Sequence, residues 1–233
     1  MTDNAPGLTI GVRSLAYQGT TLFENLRFRL DGSSWTCLLG IVLGSLFGAS
    51  TAVTLAASRT AQRWLMPLLV MSQALPVFAL APILVLWLGY GMASKIAMAV
   101  LIIYFPVTTA FLDGLRRTDP GWVELARTMD AGGAALLTQI RIPAALPALA
   151  SGLRVAAAVA PIGAVIGEWV GSSAGLGYLM LQANARMQTD LMFAALLVLA
   201  AMALLLWLAV DRGARALVPW QPEAIAHDPQ GVA

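Results

Sequence analysis

From Trp35 onward the chain is a succession of long apolar runs divided by short polar ones, at about residues 35–57, 65–88, 93–112, 145–171 and 191–210. Each run, wound at about 1.5 Å per residue, is long enough to cross a hydrocarbon core of roughly 30 Å. Backbone amides in lipid find partners only within their own segment or in a closed barrel, and the runs carry no barrel-like alternation, so they are predicted to be helices. The second run contains Pro67, Pro76 and Pro82 and is expected to be broken or kinked; the fourth contains Pro147 and Pro161. Before Trp35 the pattern is different. Leu8–Val12 and Leu22–Leu30 alternate in part, with Tyr17-Gln18-Gly19-Thr20 between them and Asp31-Gly32 after, which predicts a pair of short strands too small to be stable alone. The pattern as a whole predicts an all-α membrane protein of about five transmembrane helices, preceded by a short β-like N-terminal segment.

Composition agrees. Hydrophobic residues make up 59% of the 233 positions and charged residues 11%, with a mean hydropathy of +0.77. A soluble domain carries roughly twice that charge. A net charge of +2 is too small to suggest nucleic-acid binding. Cys37 and His227 are each the only residue of their kind, so no disulfide within the chain and no Cys/His metal site is expected. No paired carboxylates or Ser/His/Asp set stands out, and neither an enzymatic activity nor a cofactor is expected. Six of the tryptophans, at 35, 64, 87, 169, 207 and 220, lie mostly near span ends, as interfacial anchors do.

Glycines recur at four-residue spacing in two runs: Gly40, Gly44 and Gly48, then Gly163, Gly167 and Gly171. Such stripes let helix backbones approach closely in lipid and predict a compact bundle. Orientation follows from the cations. Arg59, Arg63, Arg116, Arg117, Arg127, Arg141, Arg154, Arg212 and Arg215 fall on one side, Lys95 and Arg186 on the other. The positive-inside rule then makes the 113–144 loop and the C-terminus cytoplasmic, and sets the start of the first span outside. Glu168 is the one acidic residue well inside a predicted span, so it is expected to face a pore or a partner such as Arg154 or a polar subunit interface. Ser172, Ser173 and Asn184 are expected at the outer loop.

The longest polar stretch between spans, Asp113 to Pro143, is organised. Asp119 reads as an N-cap and Pro120 as the first helical residue. Trp122, Leu125, Ala126 and Met129 then fall at i, i+3, i+4 and i+7, one apolar face, while Glu124, Arg127 and Thr128 point elsewhere. Gly132-Gly133 is expected to end this helix and a shorter helical piece to run to Ile142-Pro143. Physics alone leaves two uses open for such a helix, docking on another protein or lying on the membrane.

The run Glu124-Leu125-Ala126-Arg127-Thr128-Met129-Asp130-Ala131, followed at the end of the loop by Ile140-Arg141-Ile142-Pro143, resembles the EAA loop of ABC importer permeases. The resemblance covers about residues 41–220. It includes Gln73-Ala74-Leu75-Pro76, Leu86-Trp87-Leu88-Gly89-Tyr90-Gly91, Tyr104-Phe105-Pro106, and Gly167-Glu168-Trp169 followed by Gly175-Leu176-Gly177-Tyr178. It implies the type I ABC importer permease fold, a homodimer joined to two copies of an ATPase subunit, and an extracytoplasmic substrate-binding protein that delivers the solute. It also implies that Glu124, Ala126, Asp130, Ala131, Ile140 and Pro143 belong to the loop that couples the ATPase to the pore, and that the chain is a multi-pass protein of the inner (plasma) membrane. Glu168 and Asn184 are the candidates for a pore or interface. Asp130 stands where the family has glycine, and should hold a left-handed backbone that Asp tolerates better than most residues, with Gly132 and Gly133 sharing the strain.

Residues 160–190 look most like the hydroxymethylpyrimidine-type members, which makes a pyrimidine thiamine precursor the expected solute. Sulfonate, taurine or nitrate import, an ion-coupled secondary transporter and an inactive fusion product are the alternatives. Residues 1–40 form a further expected unit. Leu15-Ala16-Tyr17-Gln18-Gly19, Leu22-Phe23-Glu24-Asn25-Leu26 and Trp35-Thr36-Cys37-Leu38-Leu39-Gly40 resemble the opening strands of an ABC ATPase, but Ile41-Val42-Leu43-Gly44 follows where that family has its P-loop. Gly40/Ile41 therefore reads as a fusion point, with an ATPase-like remnant at 1–40, a permease domain at 41–220 lacking the family's usual first helix, and a flexible cytoplasmic tail at 221–233.

Overall fold

The computed structural model describes residues 8–17, 20–30 and 33–220. The turn at Gln18-Gly19, the Asp31-Gly32 pair and the tail at 221–233 lie outside the described residues. Strands β1 (Leu8–Tyr17) and β2 (Thr20–Leu30) pair antiparallel, with Leu8 opposite Leu30, Ile10 opposite Phe28 and Val12 opposite Leu26. The register shifts between Leu15 and Ala16, and both strands are longer than the segments that alternation marked.

Nine α-helices follow among the described residues: α1 (Ser33–Ala57), α2 (Arg59–Ala74), α3 (Val77–Leu88), α4 (Met92–Arg116), α5 (Pro120–Thr128), α6 (Gly133–Ala135), α7 (Ile142–Gly171), α8 (Leu176–Ala185) and α9 (Thr189–Leu217). Helices α1, α4, α7 with its leading turns, and α9 are each long and apolar enough to cross a membrane, which makes four spans, or five when the bent pair α2/α3 is counted as one broken span. The bend, 101° between the two helix axes, falls at Leu75–Pro76. Pro76 has no N–H to donate, and the residue before a proline is forced out of the helical region, as the ψ of 120° at Leu75 records. Pro67 and Pro82 stay within their helices.

Helix α4 is the centre of the bundle, and glycines put it there. A Cβ on Gly40 would lie 2.6 Å from Ala99 Cβ, one on Gly44 2.8 Å from Ile103 Cγ2, and one on Gly48 2.9 Å from the Tyr104 carbonyl. On another side α7 approaches as closely, with Gly163 against Ala99 Cα, Gly167 against Lys95 Cα and Gly152 against the Pro106 carbonyl. Both stripes marked in the sequence therefore pack on the same helix. Ala99, Ile103, Val107, Ala156 and Ala160 are fully buried where they meet. A second cluster, Leu55, Leu69, Phe111, Leu112, Leu115 and Ala145, fills the arginine-rich end.

These contacts also fix direction. Gly40 at the start of α1 meets Ala99 near the Lys95 end of α4, while Leu55 packs with Leu112 and Leu115 near Arg116. The start of the first span thus shares an end with Lys95, as the arginine distribution requires.

Two boundaries differ from the sequence reading. The helical piece before Pro143 is not separate: α6, a π-helical stretch at Leu136–Arg141 and α7 run on as one rod of 39 residues, Gly133–Gly171. Pro143 cannot donate to the turn before it. The backbone there widens, with the Ile142 N–H reaching back five residues to the Leu137 carbonyl. The last span runs past 210 to Leu217 and so encloses Asp211, an acidic residue that the shorter boundary left outside.

The glycine contacts predict an asymmetry. Gly152→Val, with no room against Ala110 and the Pro106 carbonyl, should destabilise the bundle by about 3 kcal/mol. Gly213→Ala, where nothing lies within 4 Å, should be neutral or stabilising by up to about 1 kcal/mol. Thermal unfolding in detergent would show a large fall for the first and none for the second.

Candidate functional site

The loop between α4 and α7 begins as its sequence requires. Asp119 Oδ1 accepts from the Gly121 N–H at 2.8 Å, and Pro120 opens α5 where no N–H is needed. The end of α5 is a Schellman motif. The Ala131 N–H bonds to the Ala126 carbonyl at 3.0 Å and the Asp130 N–H to the Arg127 carbonyl at 3.0 Å, with Asp130 in the left-handed region at φ 60°. The expected left-handed position is therefore at Asp130. The helix ends there and not at Gly132-Gly133, and Gly132, at φ −63°, shares none of the strain but starts the next helix.

The apolar face of α5 divides in two. Val123 and Ala126 turn inward against Leu136, with Ala131 and Ile140 packed around them. Trp122, Leu125 and Met129 stay exposed, at 57%, 62% and 76%. With Ile140, Pro143, Pro147 and Trp220 they line an open groove of about 650 Å³. Of the loop residues singled out by sequence, Ala126, Ala131 and Ile140 thus sit in one cluster and Pro143 in the adjoining groove, while Glu124 stands exposed on the solvent side. Val123 and Trp220 were missed. Val123 stands at i−3 from Ala126, and that spacing could have found it.

Glu168 is 2% exposed and points into the protomer, not toward Arg154. Its Oε2 accepts the Gly177 N–H at 2.7 Å, at the first turn of α8. Arg154 pairs instead with Asp211, Nε to Oδ1 at 2.6 Å, and Arg215 holds the other carboxylate oxygen at 2.9 Å. This triad locks α7 to α9 near the arginine-rich end. Lys95 donates to Ser172 Oγ at 2.8 Å at the opposite end. Asn184 is exposed on the last turn of α8 and does not join Glu168. No cluster of three or more metal-ligating side chains occurs among the described residues.

One further surface is relevant to passage of a solute. Between α4 and α7, on the side that α1 does not cover, runs a groove of about 600 Å³. Ile102, Phe105, Val155 and Ile162 give it apolar walls, Thr109 and Ser151 supply hydroxyls, and Asp113 stands at its arginine-rich end.

Two substitutions test this geometry. Asp130→Gly should stabilise the chain by about 1 kcal/mol by removing the left-handed strain, and Asp130→Val should cost at least as much. Asp211→Ala, which removes the carboxylate that ties Arg154 of α7 to α9, should lower the thermal stability of the bundle. Unfolding in detergent measures all three.

The chain can now be set beside known proteins. Residues 40–221 match the family model described as the binding-protein-dependent transport system inner membrane component. A probable ABC transporter permease protein of Haemophilus influenzae is 63% identical over 173 residues, 74% of this chain and 71% of the relative. A formylaminopyrimidine transport permease protein of Halalkalibacterium halodurans is 37% identical over 92% of this chain and 84% of its own length. The taurine transport system permease protein of Escherichia coli is 29% identical over 89% of this chain and 74% of its own length. Among solved structures, an inward-facing MetNI methionine ABC transporter superposes with a TM-score of 0.70 at 20% identity, over 79% of this chain and 92% of the matched chain, a likeness of fold. With the family model spanning most of the helical bundle, the chain belongs to the inner-membrane permease components of ABC importers, transport subunits that are not themselves enzymes.

Proposed function

We propose that this chain forms the translocation path for a small organic solute, a pyrimidine precursor of thiamine, and is driven by a separate ATPase that engages the 113–143 loop from the cytoplasm. Permeases of this family work with an ATPase and a substrate-binding protein. The observation that carries the coupling role is the exposed apolar wall Trp122/Leu125/Met129 on a helix fixed at both ends by an Asp cap and a Schellman turn. Large apolar side chains on a rigid, solvent-facing element are suited to a protein partner. Glu124 beside them supplies a charge that can select that partner's orientation. The nine arginines at this end support its cytoplasmic placement.

The solute assignment is supported by the relative named for formylaminopyrimidine transport, which aligns with 92% of this chain at 37% identity. Relatives named for aliphatic sulfonates and taurine, at 31% and 29%, support the second reading. The groove between α4 and α7, with its two hydroxyls among apolar walls, is large enough for a solute of that size, and two copies of the chain apposed across it would enclose the path.

Reconstitution with the companion ATPase and binding protein decides both points. ATP-dependent uptake of a labelled hydroxymethylpyrimidine, with none of taurine, is the expected outcome, and the reverse preference would assign the sulfonate reading. Glu124→Lys should reduce uptake at least tenfold and release the ATPase from the detergent-solubilised complex, while the inserted chain keeps its thermal stability. Normal uptake by that variant would remove Glu124 from the coupling role.

A further inference from the structure

The polar cluster at the Lys95 end gives a physical meaning to the segment Gly167-Glu168-Trp169 with Gly175-Leu176-Gly177-Tyr178. Helix α8 is tied to α7 through Ser172–Gly175 and to α9 through Arg186–Gln188. Each joint holds a residue at positive φ, Gly175 at 117° and Met187 at 58°. The joint to α9 is a Schellman turn, with the Gln188 N–H on the Ala183 carbonyl at 2.8 Å and the Met187 N–H on the Asn184 carbonyl at 3.1 Å, while helical hydrogen bonding from α7 stops before α8 and leaves its first turn unplaced by backbone continuity.

Side chains seat it instead. Leu176, Leu179 and Met180 pack with Ala195, Val198 and Met202 of α9. Two polar bonds from α7 converge on one residue: Glu168 Oε2 accepts the Gly177 N–H at 2.7 Å, and the Trp169 indole N–H donates to the Gly177 carbonyl at 2.9 Å. The glycines are the room this requires. A Cβ on Gly177 would lie 3.0 Å from the Val165 carbonyl and 3.1 Å from Glu168 Oε2, and one on Gly175 would fall on the Glu168 carboxyl group itself. Lys95 of α4 holds the same joint through Ser172, whose Oγ accepts from the Ala174 N–H and donates to the Ala174 carbonyl. Beside Glu168 and Leu176 lies a partly open apolar groove of about 310 Å³, bounded also by Val165, Met202 and Cys37. The first turn of α8 therefore has no protein core filling that side.

We propose that Glu168 is a positioning residue that clips α8 down as a lid at the outer end of the permease, and that release of this clip opens that end during transport. The inference rests on the transport reading only for what the lid guards; the clip itself is tested without any solute.

The test uses the full chain in proteoliposomes with Cys37→Ser, which removes the only cysteine, and Ala183→Cys, on a face of α8 that is 1% exposed. A charged, membrane-impermeant maleimide should label this position slowly. Labelling should be at least tenfold faster with Glu168→Ala, about threefold faster with Trp169→Phe, and within twofold of the parent with Glu168→Gln, which keeps an accepting oxygen. A cysteine at Ala156, fully buried between α4 and α7, should stay unreactive in every background. If the Ala183→Cys rate does not respond to Glu168→Ala, or if Ala156→Cys reacts alongside it, no local clip exists and the proposal fails. In the assembled transporter, ATP turnover should raise labelling at Ala183→Cys severalfold; an unchanged rate would make Glu168 a static strut and overturn the lid. Absence of uptake by the parent, with this labelling pattern intact, would overturn the transport reading while supporting the clip.

Discussion

The close approach of α4 to α1 on one side and α7 on the other is the constraint from which the remaining architecture follows. In lipid the hydrophobic effect does not drive helices together, because the surrounding chains are as apolar as leucine. What remains is dispersion, about 0.1–0.2 kcal/mol per atom pair at contact and steeply lost with distance. Glycines at 40, 44, 48, 152, 163 and 167 let backbone and Cβ atoms of α4 meet their neighbours, and the fully buried residues at these crossings are chiefly alanine and β-branched side chains that fit such short separations. Once α4 is held on both sides, α9 is placed by α7, by the Arg154–Asp211–Arg215 triad and by its packing on α8, and the α2/α3 pair can afford its sharp break.

Three charges inside the spans are held by specific partners: Asp211 by arginines of α7 and its own helix, Lys95 by Ser172, and Glu168 by a backbone amide. Unpaired, any of them would be costly in hydrocarbon. Paired, they act as register marks, because a one-residue slip of α9 would rotate Asp211 about 100° away from Arg154. Apolar packing between leucine-rich helices tolerates such a slip far better.

Features set by the chain's own periodicity were legible in the sequence. The spans, the glycine stripes, a proline break in the second run and the Asp119 cap each follow from local chemistry, whereas the left-handed Asp130 was indicated by the family resemblance and not by the Gly132-Gly133 pair that local chemistry favoured. What was not legible depends on tertiary choice. Periodicity marks Trp122, Leu125 and Ala126 as one stripe, yet only the arrival of Leu136 decides that Ala126 goes in with Val123 while Trp122 stays out. Glu168 and Arg154 are opposite charges on one helix, and their pairing was a reasonable expectation. They lie fourteen positions apart, about 21 Å along the axis, far beyond direct contact. A stricter count along the helix would have sent each to another element. The continuity of α6, the π stretch and α7 was hidden by Pro143, a signal that usually ends a helix but here only widens the turn before it.

That continuous rod has a mechanical consequence. Its 39 residues span about 58 Å, nearly twice a hydrocarbon core, so one end must stand well clear of the bilayer. Gly152, jammed against the Pro106 carbonyl of α4, lies at its middle, about 28 Å from either end. Gly163 and Gly167 bear on Ala99 and Lys95 of the same helix, so the half of the rod toward Gly171 is held along its length. A push on the protruding end beside α5 therefore reaches the far side only by moving α4 and α7 together. The π stretch lies at the free end, where its looser winding would absorb part of that push.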